Sequence, residues 1–164
     1  MSPTAIEQDA AAAGHSPTQT LVARARAKNA AFMRGDMKRW ASLVRMAPDF
    51  SLMQPFGGAA SHGFDTRPQH LDGLSRYFQN GQTELELVQT CATADLIVLV
   101  MIERQTAEVG GLPAQDWSLR VTEVYRRVDD EWEFVHRHAD PLVHKLSLEQ
   151  AAALARGEPA AAQR

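Results

Sequence analysis

From Val121 to Asp140 the chain reads VTEVYRRVDDEWEFVHRHAD, an alternation of apolar and polar positions broken by Asp129-Asp130. Two antiparallel strands joined at a tight turn are predicted from that pattern. With the two aspartates in the turn, Val128 faces Glu131, Arg127 faces Trp132, Tyr125 faces Phe134 and Glu123 faces His136. Leu119, Val121, Glu123, Tyr125, Trp132, Phe134, His136 and His138 then share one face, and Arg120, Thr122, Arg126, Glu133 and Arg137 share the other. The first face is mainly apolar and aromatic, so it looks into a core or cavity. It carries a carboxylate and two imidazoles inward, where polar groups need partners.

Upstream the periodicity is helical. Ser16 and Pro17 read as an N-cap and first helical position, opening a helix to about Arg34 that Gly35 ends. Asp36 caps a second, shorter helix with Trp40, Leu43 and Val44 inward, and Phe50 to Gln54 is a short strand stopped by Pro55 and Gly57-Gly58. Asp65 or Thr66 caps a third helix, with Leu71, Leu74, Tyr77 and Phe78 at helical spacing. Strands follow over 83–92, 96–107, 117–128 and 132–140. Helices first and a meander afterwards predict an α+β fold. The run from Leu96 to Ile102 is apolar on both faces, which predicts that a second subunit covers its outer side. Ser147 with Gln150 resembles a capping box for a short C-terminal helix ending near Gly157. The organisation expected is a disordered, Ala-rich tail over 1–16, one domain over 17–146, and a short helix and tail over 147–164.

Composition narrows the classes. With 17 Lys and Arg against 20 Asp and Glu, and no basic stripe, nucleic acid is not an expected partner. The single cysteine, Cys91, fits a reducing compartment, and no apolar run is long enough to span a bilayer, so a soluble, cytoplasmic protein is expected. No GxSxG, CxxC pair, phosphate loop or dinucleotide fingerprint is present, and no cofactor is expected.

Several segments resemble the nuclear transport factor two-like superfamily, which includes ketosteroid isomerases and SnoaL-like polyketide cyclases. Gly35-Asp36 sits where those proteins turn between their first two helices. APDFSLMQPFGG, Ala47 to Gly58, is similar to the isomerases' first strand and following turn, and SHGFDTRPQHL to the His-Gly step into their third helix. The closing hairpin with Trp132 and VHRHAD looks like SnoaL-like bacterial members and like the hub domain of calcium/calmodulin-dependent kinase. The resemblance spans roughly 18–143 and implies a cone-shaped fold, three N-terminal helices packed in a curved antiparallel sheet. It also implies that the familiar isomerase mechanism is missing. Gln54 stands where those enzymes carry their aspartate base, Lys28 falls where they carry a tyrosine, and Glu123 aligns with their protonated aspartate, so one carboxyl group is kept.

The candidate site follows from both readings. His136 as general base or acid, oriented by Glu123 across the hairpin, is the expected catalytic pair for a cofactor-independent isomerase, dehydratase or cyclase. The same two groups would equally serve as a mutually satisfied pair that fixes the hairpin register. Gln54, Trp40, Met53, Phe56, Tyr125, Phe134, His138 and Asp140 are the expected substrate-binding residues, for a small hydrophobic molecule bearing a carbonyl or hydroxyl. Tyr77, Phe78 and Trp117 are further candidates to line the cavity. His136, His138 and Asp140 also form a possible ligand set for zinc or iron, but the spacing is short and common, and a metal-free site is the expectation. The alternative function is a non-catalytic ligand-binding or oligomerisation module; in either case a homodimer is expected.

Overall fold

The computed structural model describes residues 16–158, so the expected N-terminal tail, apart from Ser16, and the last six residues lie outside the described residues. Helix α1, Pro17–Met33, starts where expected because Ser16 and Gln19 form a reciprocal capping box and Pro17 occupies the first turn. Gly35 ends it at φ 77°, and an added Cβ would lie 2.5 Å from two backbone oxygens of the third helix and its exit, at Ser75 and Phe78. Asp36 then accepts from Arg39 N to cap α2, Met37–Leu43. Strand β1, Met46–Met53, and the short β2, Ser61–His62, precede α3, Pro68–Tyr77. Neither Asp65 nor Thr66 caps α3: Arg67 is its N-cap and makes no side-chain cap hydrogen bond, while Asp65 binds the Arg67 guanidinium instead.

Five strands follow: β3, Phe78–Ala92; β4, Leu96–Val109; β5, Leu112–Asp116; β6, Leu119–Val128; and β7, Glu131–Pro141. Helix α4, Leu148–Ala155, begins with the Ser147–Gln150 capping box. The sheet runs β2-β1-β7-β6-β4-β3, with β5 paired to β4, and is large, curved and unclosed. β1 lies parallel to β7 while the other pairs are antiparallel. β3 begins five residues earlier than its apolar pattern indicated. Gly81 explains part of this, since its missing side chain lets the strand pass the end of α1, where a Cβ would meet Met33 at 2.4–2.5 Å.

Helices α1, α2 and α3 pack on the concave side. Leu21, Ala25, Phe50, Leu85, Ile97, Leu99, Met101, Val121, Tyr125, Phe134 and Ala139 make one buried cluster, each large side chain stabilising the fold by about 1.5–3 kcal/mol. β4 alternates inward Ile97, Leu99, Met101, Glu103 and Gln105 with half-buried outward Val98, Val100 and Ile102. Extra residues in β3 near Val88 and in β7 at Val135 bend the sheet.

Candidate functional site

The concave side encloses a cavity of about 900 Å³ whose wall is mainly apolar and aromatic. α1 contributes Phe32, α2 Trp40, β1 Phe50 and Leu52, α3 Leu74, and β7 Phe134, with Phe78 and Trp117 between. The rings support one another: Trp40 packs at 5.8 Å from Phe32 and 4.9 Å from Phe64, and Phe134 at 5.0 Å from Phe50. Phe56, 58 % exposed, marks the mouth together with Gln54.

Polar groups collect at the buried end. Leu21, Ala25 and Lys28 recur on one face of α1, so the lysine follows two apolar residues into the core. Its Nζ donates to Glu123 Oε1 and lies 4.3 Å over the Phe134 ring. Glu123 is fully buried on β6; Oε1 also accepts from Arg137 Nη1 at 2.8 Å, and Oε2 accepts from the Tyr125 hydroxyl at 2.7 Å. Arg137 in turn donates to both oxygens of Glu103, at 3.0 and 2.6 Å. Two cations and two carboxylates therefore form one buried network, formally neutral as a whole.

The environment sets each protonation state. Burial pushes the Glu123 carboxyl up, but Lys28 and Arg137 outweigh it and hold the group below its ordinary range, so it is a carboxylate. Burial lowers Lys28, which shares its carboxylate with a competing guanidinium that opposes its charge. Tyr125 is raised well above its ordinary value by burial and by the adjacent carboxylate, and stays a phenol. Lys28 is thus the member of the cluster most easily deprotonated.

A second polar element sits beside it. Gln105 Nε2 donates to the Trp117 carbonyl at 3.1 Å, and Asn29 Nδ2 donates to Gln105 Oε1 at 3.0 Å. A backbone carbonyl only accepts, which fixes the orientation of both amides. Asn29 Oδ1 then remains as an acceptor on the cavity wall.

Several expected site residues lie elsewhere. Glu123 and His136 do not pair: Val135 is a bulge, so Val124 opposes His136 and Glu123 opposes Arg137. Beyond Phe134 the faces are exchanged relative to simple alternation. His136 points to the outer side, where Nδ1 shares a 2.8 Å hydrogen bond with Ser51 Oγ. His138 is exposed beside Met53, and Asp140 is paired with Arg120. Among the described residues no group of three His, Cys, Asp or Glu is arranged to hold a metal ion. Trp40, Gln54, Phe56 and Phe134 do line the cavity, as do Tyr77, Phe78 and Trp117, whereas Met53 does not and Tyr125 lies behind Phe134, stacked on it at 5.2 Å. Asn29, Gln105 and Arg137 on the cavity wall, and Glu103 behind Arg137, were not among the expected site residues, and Lys28 had entered only as the residue at the isomerases' tyrosine position. Glu103 and Gln105 were legible as inward positions of β4, and Lys28 as an inward position of α1.

This arrangement, helices folded into a curved sheet around a deep cavity, matches known proteins. Residues 23–143 match the SnoaL-like domain, and the chain belongs to that family. Among solved structures it is similar to a candidate dehydratase of the NTF2-like family from Streptomyces avermitilis, at 21 % identity, covering 76 % of this chain and 95 % of that one, with TM-score 0.61. An NTF2-like superfamily protein from Salmonella enterica is similar at 16 % identity, 80 % and 94 % coverage and TM-score 0.62. The CamKII hub homology domain of Chlamydamonas reinhardtii is similar at 17 % identity, 78 % and 100 % coverage and TM-score 0.58. These likenesses show the NTF2-like fold. No curated protein matches the chain. No helix among the described residues is long and apolar enough to cross a membrane.

Proposed function

We propose that this protein binds a small, uncharged, mainly apolar molecule bearing a carbonyl or hydroxyl, and acts on it by cofactor-independent isomerase, dehydratase or cyclase chemistry. The observation that carries this reading is the buried Lys28–Glu123 pair at the end of an apolar cavity. Because the surrounding charges already sum to zero, a charged ligand would bring an unpaired charge into a mainly apolar cavity. Lys28 and Glu123 take the role assigned from sequence to His136 and Glu123, holding and returning a proton next to the ligand. Asn29 Oδ1 accepts from a ligand hydroxyl, and Gln54 orients a carbonyl or water near the mouth. Membership of the SnoaL-like family, and likeness to a protein described as a candidate dehydratase, support the reaction class.

The assembly we propose is a homodimer through the outer face of the sheet. Val98, Val100, Ile102, Val124 and Thr122 form a half-buried stripe there, bordered by the Arg120–Asp140 and Arg104–Glu86 ion pairs. Similar structures include hub and association domains, which favours assembly through this fold and keeps a non-catalytic binding module as the second reading.

Deuterium exchange alpha to the carbonyl of an uncharged aryl ketone such as α-tetralone, followed by mass spectrometry, tests the chemistry. Wild type accelerates exchange; Lys28→Met and Glu123→Gln lose about 10²-fold or more, the scale of a positioned proton-transfer group, and His136→Gln keeps its rate. A dependence on His136 with none on Lys28 would reverse the assignment.

A further inference from the structure

Of the 17 Lys and Arg in the chain, Lys28, Lys38 and Lys145 are the lysines, and Lys38 and Lys145 are exposed. Of the two cations of the buried network beside the cavity, Lys28 and Arg137, Lys28 is the type that gives up its proton readily, in a chain that otherwise favours arginine. Lys28 is 5 % exposed, lines the cavity, and is held at one side by Glu123 and over the face of Phe134. The groups facing it are Glu123, Arg137, Glu103 and Tyr125.

We propose that Lys28 is a carbonyl-trapping amine, whose Nζ condenses with an apolar aldehyde or ketone held in the cavity to give a protonated imine. The inference rests on the cavity being a ligand site and adds how the ligand is held. Glu123 takes a proton from the ammonium, and the freed nitrogen pair attacks the carbonyl carbon to form the C–N bond. The oxygen takes back the proton held by Glu123 and a second one from the nitrogen, and departs as water as the C–N double bond forms, which restores the Glu123 carboxylate. No oxidant or reductant is needed, and the product iminium keeps one positive charge against one Glu123 carboxylate, so the network stays neutral before and after. An iminium also makes the neighbouring C–H bonds more acidic, which links the covalent step to the isomerase or dehydratase chemistry proposed for the same site. Arginine at this position would preserve the charge and abolish the chemistry.

The full chain is incubated with cinnamaldehyde and sodium cyanoborohydride, which reduces an iminium to a stable amine, and the adduct is located by peptide mass spectrometry. Tryptophan quenching by cinnamaldehyde without reductant is measured in parallel, since Trp40 and Trp117 line the cavity. We expect saturable quenching and an adduct on Lys28 at least about tenfold faster than on Lys38 or Lys145, because the cavity holds the aldehyde beside that amine. Lys28→Arg loses that adduct while Lys38 and Lys145 label as before. Saturable quenching with Lys28 unlabelled, or labelled no faster than the surface lysines, overturns the covalent inference and leaves the binding reading in place. Neither quenching nor labelling at Lys28 overturns both.

Discussion

Glu123 carries two cations and a phenol on its two oxygens, so its charge matters more than its size. Glu123→Gln keeps the shape but leaves Lys28 and Arg137 with only Glu103 between them. Loss of a buried partner of this kind costs about 3–5 kcal/mol, read as a lower midpoint in urea unfolding at pH 7. The pH dependence has a definite sign. The folded state holds Glu123 below its ordinary value of 4.5, so the unfolded chain binds its proton more readily. Its contribution is complete above pH 4.5 and is lost as the pH falls toward the lower folded value. The acid limb of the wild-type stability curve should therefore be steeper than that of Glu123→Gln; identical slopes would place the stabilising charge elsewhere. Glu123 was legible in the sequence as an inward carboxylate, but its partner was not. Alternation continued through Phe134 sends His136 inward, and one bulged residue, Val135, exchanges it for Arg137. Lys28 sat on the apolar face of its helix in plain view, yet lysine is rarely buried without a partner, and that partner is 95 residues away in the chain.

The helices and strands were legible because their local signals are strong. The Ser147 capping box, Ser16 with Pro17, and Asp36 marked helix starts, a continuous apolar run marked β4, and period-two alternation marked β6 and the start of β7. The signals were weaker where tertiary contact decides, as at the start of β3, where Gly81 accommodates α1, and at α3, where no side chain caps the helix. Two glycines give opposite predictions. Gly35→Ala forces a side chain into the positive-φ turn and against the Ser75 and Phe78 oxygens, and should cost more than about 1 kcal/mol. Gly73 lies inside α3 with open space for at least 4 Å around the position a methyl group would take, so Gly73→Ala should stabilise by about 0.4–1 kcal/mol. Thermal unfolding of both variants measures the contrast; shifts in the same direction would contradict the packing described for the turn from α1 to α2.

The function we propose divides the two faces of the curved sheet, placing the ligand inside the cone and the dimer contact outside it. Val100 lies at the centre of the outer stripe, opposite Thr122 and Gln89 on its neighbours. Val100→Lys should convert a dimer to a monomer in light scattering while leaving ligand binding intact, and an unchanged mass would remove the outer face from the proposed interface. The doubly apolar pattern of Leu96 to Ile102 made an apolar outer face legible in the sequence, whereas the cavity's polar end, assembled from α1, β4, β6 and β7, depends on long-range register that no local pattern specifies. The three tryptophans offer a direct test of the cavity itself, since Trp40 and Trp117 line it and Trp132 does not. Titration of ¹⁵N-labelled protein with a series of neutral aryl ketones and alcohols should move the Trp40 and Trp117 indole resonances together to saturation and leave Trp132 in place. Movement of Trp132 alone, or of none of the three across the series, would contradict a ligand site inside the cone.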